Sequence, residues 1–146
     1  MRTRCRGWEH GEVSDGVLLR ELPDGGHEFV LEDPVLCALV VDTGVTLRFG
    51  RTDVVVTGPC RLEVDGVDHR LDPLVPQSLA PLLSCFPGSA RWVWASTDGR
   101  LTVVLMQGQR LVVPGPLVPR AWTVVGPSGP VGPVGRVGDD PGPSTS

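Results

Sequence analysis

Lysine, isoleucine, asparagine and tyrosine are all missing from this chain of 146 residues. Without Lys there is no amine for Schiff-base chemistry, and without Tyr no phenol for tyrosyl chemistry. Cysteine is sparse: Cys5, Cys37, Cys60 and Cys85, none in a CxxC pair. That spacing supports neither a zinc site nor a disulfide framework, and predicts four free thiols in a reducing, cytoplasmic setting. No apolar run approaches the ~18 residues of a membrane span. The start, "MRTRCRGWEHGEVSDG", has arginines with no apolar stretch behind them, which predicts no signal peptide. Every one of the thirteen basic residues is Arg, against seventeen acidic ones, for a net charge of −4. They are scattered, so neither a nucleic-acid nor a membrane partner is expected. The glycines follow no dinucleotide or Walker pattern, and no cofactor is expected.

Gly (19) and Pro (15) are abundant, which favours short strands and turns over long helices. Residues 1–15 are polar and read as an irregular N-terminal segment. "GVLLRELPDGGHEFVLEDP" (16–34) is a hairpin around Pro23-Asp24-Gly25-Gly26. "VLCALVV" (35–41) has the length of a strand buried on both faces. "CRLEV" and "VDHRL" flank Asp65-Gly66, a hairpin signal, with the second strand polar and edge-like. Between Pro76 and Pro87, Leu79, Leu82, Leu83 and Phe86 recur at helical spacing, which predicts a short helix near 77–86. Four strands in meander order are then expected at 91–96, 101–106, 109–113 and 121–125. The last stretch, 128–146, is Gly/Pro/Ser-rich and reads as a disordered tail after a single β-rich domain at 16–127.

The chain repeats itself. "VTLRFGRTDVVVTGP" (45–59) and "LTVVLMQGQRLVVPGP" (101–116) share an alternating strand, a turn, a Val-rich strand and a closing Gly-Pro. In the first, Val45, Leu47 and Phe49 share one face, and Thr46 and Arg48 the other. In the second, both faces are apolar, which predicts a more central position. A lone hairpin is marginal in water. The fold expected is therefore mainly β: two hairpin or meander halves, whether or not they descend from one unit, sharing a core with a single helix between them.

The segments "VTLRFG", "TGPCRLEVDG", "LDPLVPQSLAPLL", "STDGRLTVVL", "GQRLVVPGP" and "AWTVVGPSG" give the chain a resemblance to an uncharacterised actinobacterial family of small β-rich proteins, a domain of unknown function. The resemblance spans roughly residues 35–129 and implies the β-rich fold. It implies no activity.

Candidate chemistry is thin. Asp65, Asp68, His69 and Asp72 crowd one turn and strand, but match no metal-binding loop, and Asp has its own reasons to sit at turns. No metal site is predicted. His10, His27, Ser14, Ser84, Ser89 and Asp24 form no recognisable catalytic arrangement, and no Gly-x-Ser-x-Gly elbow is present. No catalytic residue is predicted. Trp92 and Trp94 share a strand face, which is either core or a stacking surface; packing is the favoured reading, for at least one of them. The alternating charge of Asp68, His69 and Arg70 on an edge-like strand suits a contact surface. Trp92 and Trp94 complete the candidate contact set. The reading is a non-enzymatic cytoplasmic protein that binds an unidentified protein, an immunity-type inhibitor being one form. The alternatives are a small-molecule or enzymatic pocket between the halves, and a subunit that self-associates through an edge strand.

Overall fold

The computed structural model describes residues 16–86, 88–115 and 121–131. The segment 1–15 and residues 132–146 of the expected tail lie outside the described residues. The elements are β1 (Val17–Glu21), β2 (His27–Leu31), β3 (Val35–Val41), β4 (Val45–Phe49), β5 (Thr52–Val56), β6 (Cys60–Val64) and β7 (Val67–Leu71). A 3₁₀ turn (Pro76–Leu79) then runs into α1 (Ala80–Leu83), followed by β8 (Gly88–Ala95), β9 (Leu101–Leu105), β10 (Arg110–Val113), β11 (Trp122–Gly126) and β12 (Gly129–Pro130). The protein is mainly β with one short helical stretch, as its glycine and proline content implies. That stretch is shorter than the spacing predicts. Leu79 and Leu82 are buried against β6 and β7, whereas Leu83 and Phe86 stay exposed.

The strands form one antiparallel sheet in the order β12-β11-β5-β4-β3-β8-β9-β10-β6-β7, with β2 joining β8 and β1 joining β2. The turns behave as their residues dictate. Asp65 and Gly66 both take positive φ, 52° and 81°, as a two-residue turn with right-handed strand twist requires. The predicted four-strand meander holds for β8, β9 and β10 and fails at β11. That strand leaves β10 and pairs with β5, Trp122 opposite Val56 and Val124 opposite Val54. The vacated side of β10 is taken by β6, Leu111 opposite Leu62.

This explains the repeat. The meander β3-β4-β5 and the meander β8-β9-β10 are each completed by the strand that follows the other. Registers match throughout. Thr46 faces Val55 and Arg48 faces Asp53; likewise Thr102 faces Val112 and Val104 faces Arg110. Both first strands are bulged at the same point, between Leu36 and Ala38 and between Ala90 and Trp92. Both exchanged strands turn back as hairpins, β6 to β7 and β11 to β12. The halves meet where Val35 pairs with Ser89. Coincident registers and bulges are more than hairpin periodicity alone produces. The two stretches are structural copies, and both hairpins occupy inner positions of the sheet; the second is the more buried, as its apolar faces imply, since β9 is covered at every position whereas Thr46 and Arg48 of β4 are only partly so.

One core serves both copies: Leu36, Leu47, Phe49 and Val54 from one side, Val93, Leu101, Val103 and Leu111 from the other, all essentially inaccessible. Each such side chain contributes about 1.5–3 kcal/mol by leaving water. The sheet folds over itself, so that Phe29 of β2 meets Trp122 of β11 edge to face, 6.1 Å between centroids. The Trp122 indole N–H donates to Gly99 O at 2.8 Å, which fixes β11 to the β8–β9 turn. Gly115 passes the same turn so closely that a Cβ would lie 2.3 Å from the Gly99 carbonyl carbon. β3 is not buried on both faces as its apolar run implies. Val40 and Val41, which point to opposite faces, are both exposed, so the end of the strand is covered on neither side. The fold also passes the boundary expected at 127: β12 follows, and Val131 packs against the core.

Candidate functional site

The outward face of β7, β6, β10, β9 and β8 carries a groove of about 380 Å³. Cross-strand pairing decides what lines it. Residues directly opposite in an antiparallel pair share a face. Row one, from the sheet edge inward, is Arg70, Arg61, Val112, Thr102, Trp94 and Glu28. Row two is Asp68, Glu63, Arg110, Val104 and Trp92. Arg100 and Ser96 close the end beside the β8–β9 turn.

Two tryptophans stand outward because of the bulge. Plain alternation would place Ala90, Trp92 and Trp94 on one face. The register shift after Ala90 turns Ala90, Val93 and Ala95 into the core and leaves both indoles outside. The packing expected for at least one of them is therefore overturned. Trp92 is 48% exposed, with the Arg91 guanidinium 4.7 Å from its ring centre. Trp94 is half-buried and lines the groove. Thr102 and Val104 are buried although they face outward, beneath these larger neighbours.

The charges are loosely held. Arg61 lies 3.6 Å from Asp68, and Arg100 3.7 Å from Asp98, with all four side chains more than half exposed. Such pairs contribute little to stability. Arg110 has no ion pair among the described residues. Asp98 is a rim residue whose carboxyl is held below its usual range, first by the Ser96 hydroxyl and then by the Arg100 N–H.

Of the five candidate contact residues, the structure brings Asp68 and Trp94 into the groove and sets Arg70 and Trp92 on the same face. His69 is separated from them. It pairs with Leu62 and faces the other side of the sheet. β7 is the terminal strand of the path, as its polar sequence implies. The Asp65, Asp68, His69 and Asp72 cluster does not assemble, since Asp68 and His69 face opposite ways and Asp72 caps its own turn through the Leu74 N–H at 3.0 Å. Among the described residues no group of three or more metal-ligating side chains comes together. Arg61, Glu63, Arg100 and Arg110 escape a reading of the sequence. Alternation in "CRLEV" places Arg61 and Glu63 together, but nothing local says that β6 joins β10.

The cysteines divide into two kinds. Cys60 and Cys85 are buried free thiols. Burial pushes Cys60 up to about 12, with Asp72 adding to it, and burial also raises Cys85. Cys37, at the β3 bulge, is disulfide-bonded, which corrects the expectation of four free thiols. Among the described residues no helix is long and apolar enough to cross a membrane.

Register, bulges and exchanged strands together define a duplicated antiparallel β domain with an arginine- and tryptophan-lined groove on one copy. The chain belongs to a family of unknown function, DUF6188, whose family model matches residues 28–138. No curated protein and no solved structure matches it.

Proposed function

We propose that this protein works by binding another protein through the outward face of β7, β6, β10, β9 and β8, without catalysing a reaction. The observation that carries the reading is the half-buried Trp94 at the floor of a groove ringed by weakly paired arginines. Folding explains neither feature. An indole half in water forgoes part of its burial, and exposed arginines 3.6–3.7 Å from carboxylates add little stability. Trp and Arg are the residue types that dominate protein contact energies. The chemistry on this face is guanidinium donors, an aromatic plane and two carboxylates, which suits recognition.

The compartment is drawn in two directions by the cysteines. Their spacing favours a reducing one, whereas the disulfide at Cys37 favours an oxidising one. Counting thiols on denatured, unreduced protein from its natural source decides between them.

The reading is tested by purifying the tagged protein from its natural source, as wild type and as Trp94→Ala. A chain that co-purifies with wild type and is lost with Trp94→Ala, at a melting temperature shifted by only a few degrees, supports it. A partner retained by Trp94→Ala overturns it. A second reading, self-association, draws on β7 being a terminal strand with Val67 55% exposed. A concentration-dependent mass in light scattering that Val67→Lys abolishes would favour that one.

A further inference from the structure

We infer that the occupant of the groove is an acidic segment of a partner protein that lays one planar or apolar side chain on Trp94; this rests on reading the face as a contact surface. The first argument is the sign of the charge. The chain carries seventeen acidic residues against thirteen basic ones, yet the groove is lined by three arginines, Arg61, Arg100 and Arg110, and two carboxylates, Glu63 and Asp68. Local charge is therefore reversed relative to the whole molecule.

The second argument is the register. Between β6 and β7, Arg61 sits directly opposite Arg70, and Glu63 directly opposite Asp68. Like charges facing each other across a ladder destabilise it. The diagonal Arg61–Asp68 contact at 3.6 Å is exposed and offsets little of this, so the two guanidiniums and the two carboxylates stay available to a complementary partner. The Arg61–Arg70 pair presents two guanidiniums in one row, beside Val112, Thr102 and Trp94. A carboxylate bound there accepts charge-assisted hydrogen bonds from a planar fork. An indole face three strands along from Arg61 offers stacking.

The third argument separates a peptide from a nucleic acid. Glu63 and Asp68 lie in the row next to the arginines, so a continuous phosphate backbone would run over two carboxylates. The net charge of −4 adds long-range repulsion against a polyanion. A peptide has discrete charges, and its own N–H groups or a flanking basic residue satisfy Glu63 and Asp68.

The experiment uses the full-length protein and fluorescence polarisation. The probe is a pool of short, end-capped peptides that alternate Glu or Asp with apolar residues and contain one Phe. A pool with Lys at the acidic positions and a dT oligonucleotide serve as comparators. Saturable binding of the acidic pool is expected, weakening as salt rises. Arg61→Gln and Arg110→Gln should each weaken it by about tenfold or more, the effect of losing a charged hydrogen-bond donor. Arg48→Gln, on the other copy, should leave it unchanged. Wild-type tryptophan emission should shift on binding, and Trp94→Phe should abolish that shift. The inference is overturned by absence of saturable acidic-pool binding, by preference for the Lys pool or the oligonucleotide, or by equal loss in Arg48→Gln. If a natural partner depends on Trp94 while the acidic pool fails to bind, the acidic segment is wrong and the contact face stands. If partner capture ignores Trp94, the contact face itself falls.

Discussion

The β4–β5 hairpin and the β9–β10 hairpin match in register and in the largely apolar character of their inward positions, and differ in what they show to solvent. On the first copy, Arg48 and Asp53 face each other and close on themselves, with hydrogen bonds of 2.9 and 3.3 Å. Opposite charge on the neighbour raises the Arg48 pKa, through the hydrogen bond first and Coulomb attraction second. On the second copy the same two positions hold Val104 and Arg110, and Arg110 has no such partner among the described residues. The neighbours diverge in the same way. Val40 and Ala38 on β3 correspond to Trp94 and Trp92 on β8, and Thr123 and Val125 on β11 correspond to Arg61 and Glu63 on β6. Inward positions must fill a shared core and so stay largely apolar, whatever their size. Outward positions are free to diverge, and one copy has become self-satisfied while the other has stayed open.

The largest test of this comparison is at the start of the exchanged strands, where Trp122 and Cys60 are counterparts. Trp122→Ala removes the ring contact with Phe29 and the bond to Gly99, and should cost about 3–5 kcal/mol in urea denaturation. A loss comparable to that of an exposed residue would mean that β11 does not hold the copies together. Cys60 should show itself in alkali instead. Its thiol moves from an ordinary 9.0 to about 12 on folding. Below pH 9 or so both states keep the proton, and the stabilisation is complete. As pH rises further the unfolded chain ionises first, so stability should fall by up to about 1.4 kcal/mol per pH unit until the folded thiol titrates. Cys60→Ala should flatten much of that slope, and an unchanged slope would assign it to other groups.

Thr52 at the start of β5 offers a finer comparison. Its hydroxyl is buried without a hydrogen-bond partner among the described residues. Thr52→Val keeps the shape and removes the unpaired group, and should stabilise by about 1 kcal/mol. A destabilised variant would reveal a bonded water or chain group at that hydroxyl. The smallest effect is expected at Arg48→Gln, about 0.5 kcal/mol, since that pair is partly exposed at 44% and 27%. A cost several times larger would show that the closed pair on the first copy holds the hairpin in register.

Local features of the sequence reach far into this fold. Asp65-Gly66, Asp98-Gly99 and Gln107-Gly108 mark turns where they occur, and alternation in "VTLRF" assigns Thr46 and Arg48 outward. What fails is everything that depends on partners distant in the chain. Nothing within "AWTVV" distinguishes a neighbour of β10 from a neighbour of β5, since both offer a Val-rich ladder. The bulge at Arg91 reverses the facing of Trp92 and Trp94 without a glycine to announce it. For the candidate site, Asp68 and Arg70 were legible as polar positions of an edge-like strand, and Trp94 only as a choice between core and surface. Arg61 and Arg110 were not, because they come together only through the β6–β10 ladder.

That ladder has a temporal side. A ribosome delivers β6 and β7 well before the strand they will pair with. At ~5–20 residues per second, the roughly fifty residues up to β10 take several seconds to appear. During that interval Leu62, fully buried in the finished protein, has no β10 to cover it. The first meander waits longer still for β11. Neither copy can be completed alone, so a chain truncated before Trp122 should aggregate where the whole one folds, and refolding should be slow for a protein of this size. Strand exchange thus ties the maturation of the groove to the arrival of β10: its two walls, β6–β7 and β8–β10, are brought together only once that strand exists.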